Sequence, residues 1–368
     1  MVSVVAEAGH QVMMICPATP WGELEASHDF PVVTVADYAW RPARWASRLA
    51  SVEPLRAARG HRKAVRSAAA IVAAFEPDLV VVAEVTSAAL ASRVVGRGLP
   101  TLYDAHNVDT RLYRDLRRTA RTWFERVTYG VDASRVAIKE GELARRASGI
   151  LAVSEMDAEH FRRVVPQTRV DVVPNSIFTP TEMEGLSSAP KLLFVGSLDY
   201  PPNVEALTEL VTEVLPVIHH AEPRVRLDVV GRRAPASLRA VIQASVAEVR
   251  LHEAVADLAP FYREARCVVL PMRSGGGTNL KVVEAMAYGV PVVCTPKAVS
   301  GFGVRDGEAS VQTSSRLLAD AAVQVLHDDV HATSLSKASR EAFVTRLSID
   351  TAVKVPMLAA LEAALSRQ

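Results

Sequence analysis

Cysteine is scarce. Cys16, Cys267 and Cys294 are the three in 368 residues, far apart and outside any Cys-x-x-Cys spacing. That argues against a disulfide framework or a thiolate metal cluster and for small buried hydrophobes in a reducing cytoplasm. An excess of charge is also absent: Lys plus Arg number 42 against 41 Asp plus Glu, a net charge of +1, so the chain is no basic body for nucleic acid. Long apolar runs are missing too, since Ala68–Phe75 and Leu79–Ala83 fall far short of the roughly 20 residues a spanning helix needs. The opening residues carry Glu7 and His10 and lack the basic start of a secretory signal. Repeats, low-complexity tracts, a Walker phosphate loop and a Gly-x-Gly-x-x-Gly turn after the first strand are likewise not found.

What is present is a well-cored composition, 49% hydrophobic and 23% charged, long enough for two domains. Short β-branched runs alternate with helical stretches, which predicts α/β domains with parallel sheets. The expected strands are 11–16, 31–35, 78–83, 101–104, 150–153 and 170–173, then 192–195, 226–230, 249–251, 267–270 and 290–294. Turn residues through Pro174–Pro190 mark a boundary near 185. The expected architecture is two doubly wound, Rossmann-like domains, 1–185 and 186–345, facing across a cleft, with a helix at 346–368 packing back across it.

The densest chemistry lies in the run from Pro271 to Pro291. A buried strand ends at Leu270, Gly275, Gly276 and Gly277 follow, and a helix is expected from about Thr278. A glycine loop feeding a helix N-terminus offers free amides and partial positive charge to a phosphate or diphosphate. Lys281 sits in the first turn, unfavourable for the helix itself and sensible opposite an anion. Glu284, three residues on, has the chemistry to accept two ribose hydroxyl hydrogen bonds. On glycine spacing alone, an ordinary amphipathic helix with a surface Lys–Glu pair is an equal reading.

The run Gly276–Glu284 followed by Ala-Met-Ala-Tyr-Gly-Val-Pro resembles the donor-binding signature of family-4 retaining glycosyltransferases of the GT-B fold. Ordered matches continue at Asp104-Ala-His106-Asn107, Val153-Ser-Glu155, Val173-Pro-Asn-Ser176, Phe194-Val-Gly196-Ser197-Leu-Asp199 and Val229-Val-Gly-Arg232. Gly196–Asn203 with a glycine-rich loop ending in Asn-x-Lys is most similar to the PEP-CTERM-associated sugar transferases. The resemblance implies a donor site of Gly196, Ser197, Arg232, Gly276, Gly277, Thr278, Asn279, Leu280, Lys281 and Glu284, with His106 reaching the sugar and Glu284 holding the ribose. It implies hexosyl transfer from a nucleotide-diphosphate sugar to an acceptor hydroxyl, with retention and without metal or further cofactor. The acceptor, a glycan, a glycolipid intermediate or a secondary metabolite, stays unassigned.

Three departures qualify this. Gly276 stands where the family's first Glu contacts the sugar hydroxyls. The Arg and Lys that clamp the diphosphate after the domain's first strand are replaced by Ser197 and the non-basic Asp199–Asn203, so Lys281, with Arg232, is expected to supply that charge. The chain opens on what reads as the second half of a helix, so the first strand and glycine loop of the first domain are expected to be missing, through a mis-set start. A catalytically silent partner protein and a nucleotide-sugar epimerase of the same fold are the competing readings. Two basic stretches bearing aromatics, 41–66 with Trp40 and Trp45 alongside and 111–126 with Tyr113, Trp123 and Phe124, are expected as solvated faces, with contact to an anionic inner membrane face as the alternative.

Overall fold

The computed structural model describes residues 2–17, 31–35, 62–85, 87, 98–120, 122–180 and 185–366. The basic stretch 41–66 lies outside them up to residue 61. The chain forms two compact units, Met1–Val173 with Val353–Gln368, and Pro174–Ala352.

In the first unit the helix Val2–Glu7 precedes β1 (Met14–Pro17), which pairs in parallel with β2 (Val32–Val35). A four-stranded parallel sheet follows in the order β3 (Val80–Ala83), β4 (Thr101–Ala105), β5 (Gly149–Ala152), β6 (Arg169–Val172). Every residue of β4 and β5 is buried, as expected where a parallel strand is covered on both faces. Val82, Tyr103, Ile150, Phe161 and Val170 form its core, with Tyr103 edge-on to Phe161 at 5.7 Å. Ser154 of the Val-Ser-Glu run is a helix cap: its hydroxyl accepts from the Asp157 amide at 3.2 Å and starts the helix Glu155–Val164. The helix Lys354–Leu365 belongs to this unit and packs against β4, β5 and β6.

The second unit is built on a six-stranded parallel sheet. Its strands are β7 (Lys191–Val195), β8 (Arg226–Gly231), β9 (Glu248–Glu253), β10 (Cys267–Leu270), β11 (Val292–Cys294) and β12 (Ser310–Val311). The order is β12-β11-β10-β7-β8-β9. Each expected strand is found within two or three residues of its predicted bounds. The Leu-, Val- and Ala-rich core runs from β7 through β10 to the helices Leu280–Ala287 and Ser315–His327. Cys267 and Cys294 are free and fully buried, and burial pushes both thiols up to about 12. No described helix is long and apolar enough to cross a membrane.

Candidate active site

The strand order of the second unit reverses at β7. The chain leaves β7 toward β8 and β9, then returns to the other side of β7 with β10. Connections after β7 and β10 therefore diverge at their carboxyl ends, where open α/β sheets place ligands. The β7 loop is drawn against the end of β8: Gly196 N–H donates to Val230 O and Leu198 N–H to Arg232 O, both at 3.0 Å. A Cβ on Gly231 would lie 2.1 Å from Gly196 O, so only glycine permits this approach.

The β10 loop turns through Gly275 at φ 117° and Gly277 at φ 65°, conformations that L side chains avoid. Between them, Gly276 N–H donates to the Tyr200 hydroxyl at 3.2 Å. Asn175 Nδ2 donates to Thr278 Oγ1 at 3.0 Å, which joins the Pro-Asn motif to this loop across 103 residues of sequence. The helix itself is Leu280–Ala287, beginning two residues later than expected, because Asn279 takes an extended cap conformation at φ −86°, ψ 90°. The side chain of Asn279 points away to the carbonyls of Lys297 and Ala298, and no side chain caps the helix. The Val282 amide donates to the Asn279 carbonyl at 2.9 Å, which leaves the amides of Leu280 and Lys281 to face an anion.

Lys281 leaves this first turn and crosses to the β7 loop. Its Nζ donates to Asn203 Oδ1 at 2.6 Å, lies 4.9 Å from the Phe194 ring centroid, and sits 3.1 Å from where a Gly196 Cβ would be. Asn203 is buried and donates in turn to Ser197 O at 2.9 Å. Burial lowers the Lys281 ammonium to about 8, against which the charge of Glu284 acts. An ammonium held this way, facing a carbonyl-type oxygen and a ring rather than a carboxylate, retains its charge for an incoming anion.

Glu284 stands on the same helix. Its Oε2 accepts from the Tyr262 hydroxyl at 2.7 Å, and burial raises its carboxyl above the usual range. In the first unit, His106 follows β4 and is flanked by two carboxylates, with Nε2 2.9 Å from Asp104 Oδ2 and Nδ1 3.4 Å from Glu84 Oε1. Those hydrogen bonds, Asp104 first, raise the imidazole to about 10 against the opposing effect of burial. His106 is thus an imidazolium at neutral pH. Glu84 holds a left-handed φ of 59° at the end of β3.

Of the expected donor residues, Gly196, Ser197 and Lys281 meet around Asn203. Gly276, Gly277, Thr278, Asn279 and Leu280 form the adjoining loop and helix start, and Glu284 lies one turn beyond Lys281. Arg232 is not drawn in: its carbonyl ties down Leu198 while its side chain is exposed. Tyr262 and Glu84 were not singled out by sequence, and Asn175 and Asn203 were read only as members of motif runs without a role, since each meets a partner that only the fold supplies.

The chain has the parallel α/β sheets of the GT-B fold, with a glycine loop and a helix start at a topological switch point of the second unit. Residues 1–179 match the family model described as Glycosyltransferase Family 4, and residues 189–328 the model described as Glycosyl transferases group 1. The two halves of the chain are thus each similar to a glycosyltransferase family model. It is 29% identical over 197 residues to a phosphatidyl-myo-inositol mannosyltransferase of Mycobacterium leprae, a stretch covering 50% of each chain. It thus spans about half the length of that curated relative. Among solved structures, sucrose-phosphate synthase from Thermosynechococcus elongatus superposes with a TM-score of 0.78 at 18% identity, covering 100% of this chain and 92% of that one. Anabaena HepE in complex with UDP-glucose gives 0.60 at 17% identity, covering 92% and 86%.

Proposed function

We propose that this protein transfers a glycosyl group from a nucleotide-diphosphate sugar to an acceptor hydroxyl, with retention and without a metal. The observation that carries this reading is the meeting of Lys281 with the β7 loop at the switch point, one helical turn from Glu284. Glu284 holds the ribose. The open amides of the helix start and the Lys281 ammonium take the diphosphate and stabilise it as the bond to the anomeric carbon breaks. Lys281 stands in for the absent loop cations, since it reaches Asn203 and the Gly196 corner from the far side. His106, an imidazolium, donates to the transferred sugar. The solved neighbours that carry UDP or UDP-glucose support a nucleoside diphosphate as the ligand.

A screen of UDP, GDP, ADP and dTDP and their sugar conjugates by thermal shift and calorimetry tests this on the intact chain and on Glu284→Ala. Selective binding that the substitution weakens is expected. No binding by a folded protein refutes the reading, and binding without turnover on any acceptor favours the silent partner that Gly276 and Ser197 suggest.

The same reading extends to peripheral contact with an anionic membrane at the inner face. Its support is the outer side of the helix Trp123–Arg146, where Trp123 is 78% exposed and Phe124, Val127 and Val131 are exposed beside Arg117, Arg118 and Arg126. Co-sedimentation with phosphatidylglycerol vesicles but not phosphatidylcholine vesicles is expected, and Trp123→Ser with Phe124→Ser abolishes it. Equal behaviour with both vesicles overturns the proposal.

A further inference from the structure

We infer that Tyr262 is the positioning residue that makes Glu284 selective for a ribose: its hydroxyl, donating at 2.7 Å, fixes one carboxylate oxygen and aims the other at the sugar diol. The inference rests on the reading that Glu284 holds the ribose. Tyr262 lies on the helix Ala259–Glu264, 22 residues before Glu284, and is 1% exposed. Its ring stacks on Tyr288 with centroids 5.2 Å apart and planes 1° from parallel. Tyr288 follows Glu284 by four residues and its amide donates to the Glu284 carbonyl at 3.1 Å, so one helix end supplies both the carboxylate and the plate that clamps its donor.

The consequence follows from the carboxylate's inventory. An ionised carboxylate offers two oxygens and only accepts. Oε2 is taken by Tyr262, while Oε1 receives no hydrogen bond from a described residue. A terminal carboxylate torsion is intrinsically broad, so an untied Glu284 would present its oxygens in many directions. The buried phenol removes that freedom. Burial and the charge of Glu284 both push the Tyr262 hydroxyl well above its ordinary range, so it stays a donor at any physiological pH. Its hydrogen bond also favours the ionised Glu284 against the burial that raises it. The diol therefore meets a charged and directed acceptor, and a sugar lacking those hydroxyls leaves a buried acceptor unpaired.

Calorimetry with UDP, GDP or ADP, whichever the intact protein binds most tightly, and with its 2′,3′-dideoxy analogue tests the idea. The intact protein should prefer the ribonucleotide, and Glu284→Ala should bring the two affinities together. Tyr262→Phe removes one oxygen and keeps the stack. It should cut the preference at least tenfold while the dideoxy analogue binds within twofold of its original affinity. A preference lost in Glu284→Ala but kept in Tyr262→Phe overturns the inference alone. A preference unchanged by Glu284→Ala, or no binding by the folded protein, overturns the ribose reading beneath it. Equal losses for both nucleotides in Tyr262→Phe would mark Tyr262 as a packing residue and overturn the inference as well.

Discussion

Raising the pH from 7 to 9 should weaken binding of a nucleoside diphosphate about tenfold, because the free protein loses the Lys281 proton over that interval. The ammonium titrates at about 8, held down by burial. A diphosphate against Nζ reverses that penalty, so the bound amine keeps its proton through pH 9. The protonated share of the free protein falls from about nine-tenths at pH 7 to about one-tenth at pH 9, which is about 1.4 kcal/mol of binding. At pH 8 each nucleotide should take up about half a proton, read as a difference in calorimetric heat between buffers of unlike ionisation enthalpy. Lys281→Met should flatten the profile and remove about 1.5–3 kcal/mol of diphosphate binding, the value of a hydrogen bond to a charged group. The nucleoside alone should bind as before. A flat profile without proton uptake in the unsubstituted protein would refute the reasoning, and so would equal losses for nucleoside and diphosphate in Lys281→Met. Without ligand the sign is opposite: the folded protein binds this proton less readily than the unfolded chain, so stability rises from about pH 8 toward 10.5.

Gly231→Ala should cost about 3 kcal/mol or more in urea unfolding, because its Cβ meets Gly196 O at 2.1 Å and Leu198 Cγ at 2.7 Å. Asn203→Leu should cost about 2–3 kcal/mol, since it strips Lys281 and Ser197 of a buried partner, read as a lower urea midpoint. The His106 ring proton should titrate by NMR near pH 10, and Asp104→Asn should return it toward 6.5; a native value already near 6.5 contradicts the paired geometry. Glu140, 3% exposed and hydrogen-bonded to Thr110 Oγ1 at 2.6 Å, is pushed by burial to about 7. The folded state thus keeps a proton that the unfolded chain releases near 4.3, and up to about 3 kcal/mol should be lost as pH rises from about 4.5 to 7, a slope that Glu140→Gln removes.

The parallel sheets were legible because buried parallel strands announce themselves as β-branched runs, and Leu192–Val195 or Cys267–Leu270 need no long-range information. The strand Ser310–Val311 is two residues long and carries no periodic signal, so only its pairing with Val293 and Cys294 reveals it. The glycine loop was legible as a turn from a buried strand into a helix, yet the start of that helix was misjudged by two residues because the backbone at Asn279, not the apolar pattern, sets it. Lys281 was picked out by its place in a first turn, but its destination was not, since Asn203 lies 78 residues earlier. The two carboxylates at His106 divide in the same way. Asp104 sits two residues away on one strand, while Glu84 arrives from the neighbouring strand β3 by topology alone.

The helix Lys354–Leu365, which packs on β4, β5 and β6, sets an order on biosynthesis. On the ribosome the second unit, Pro174–Ala352, emerges whole before this helix does, so it is free to fold first. The sheet of the first unit, although translated earlier, waits about 180 residues for its cover. During that interval the face that this helix covers has no cover of its own, and a chain halted just after the second unit has emerged would carry one finished half and one open one.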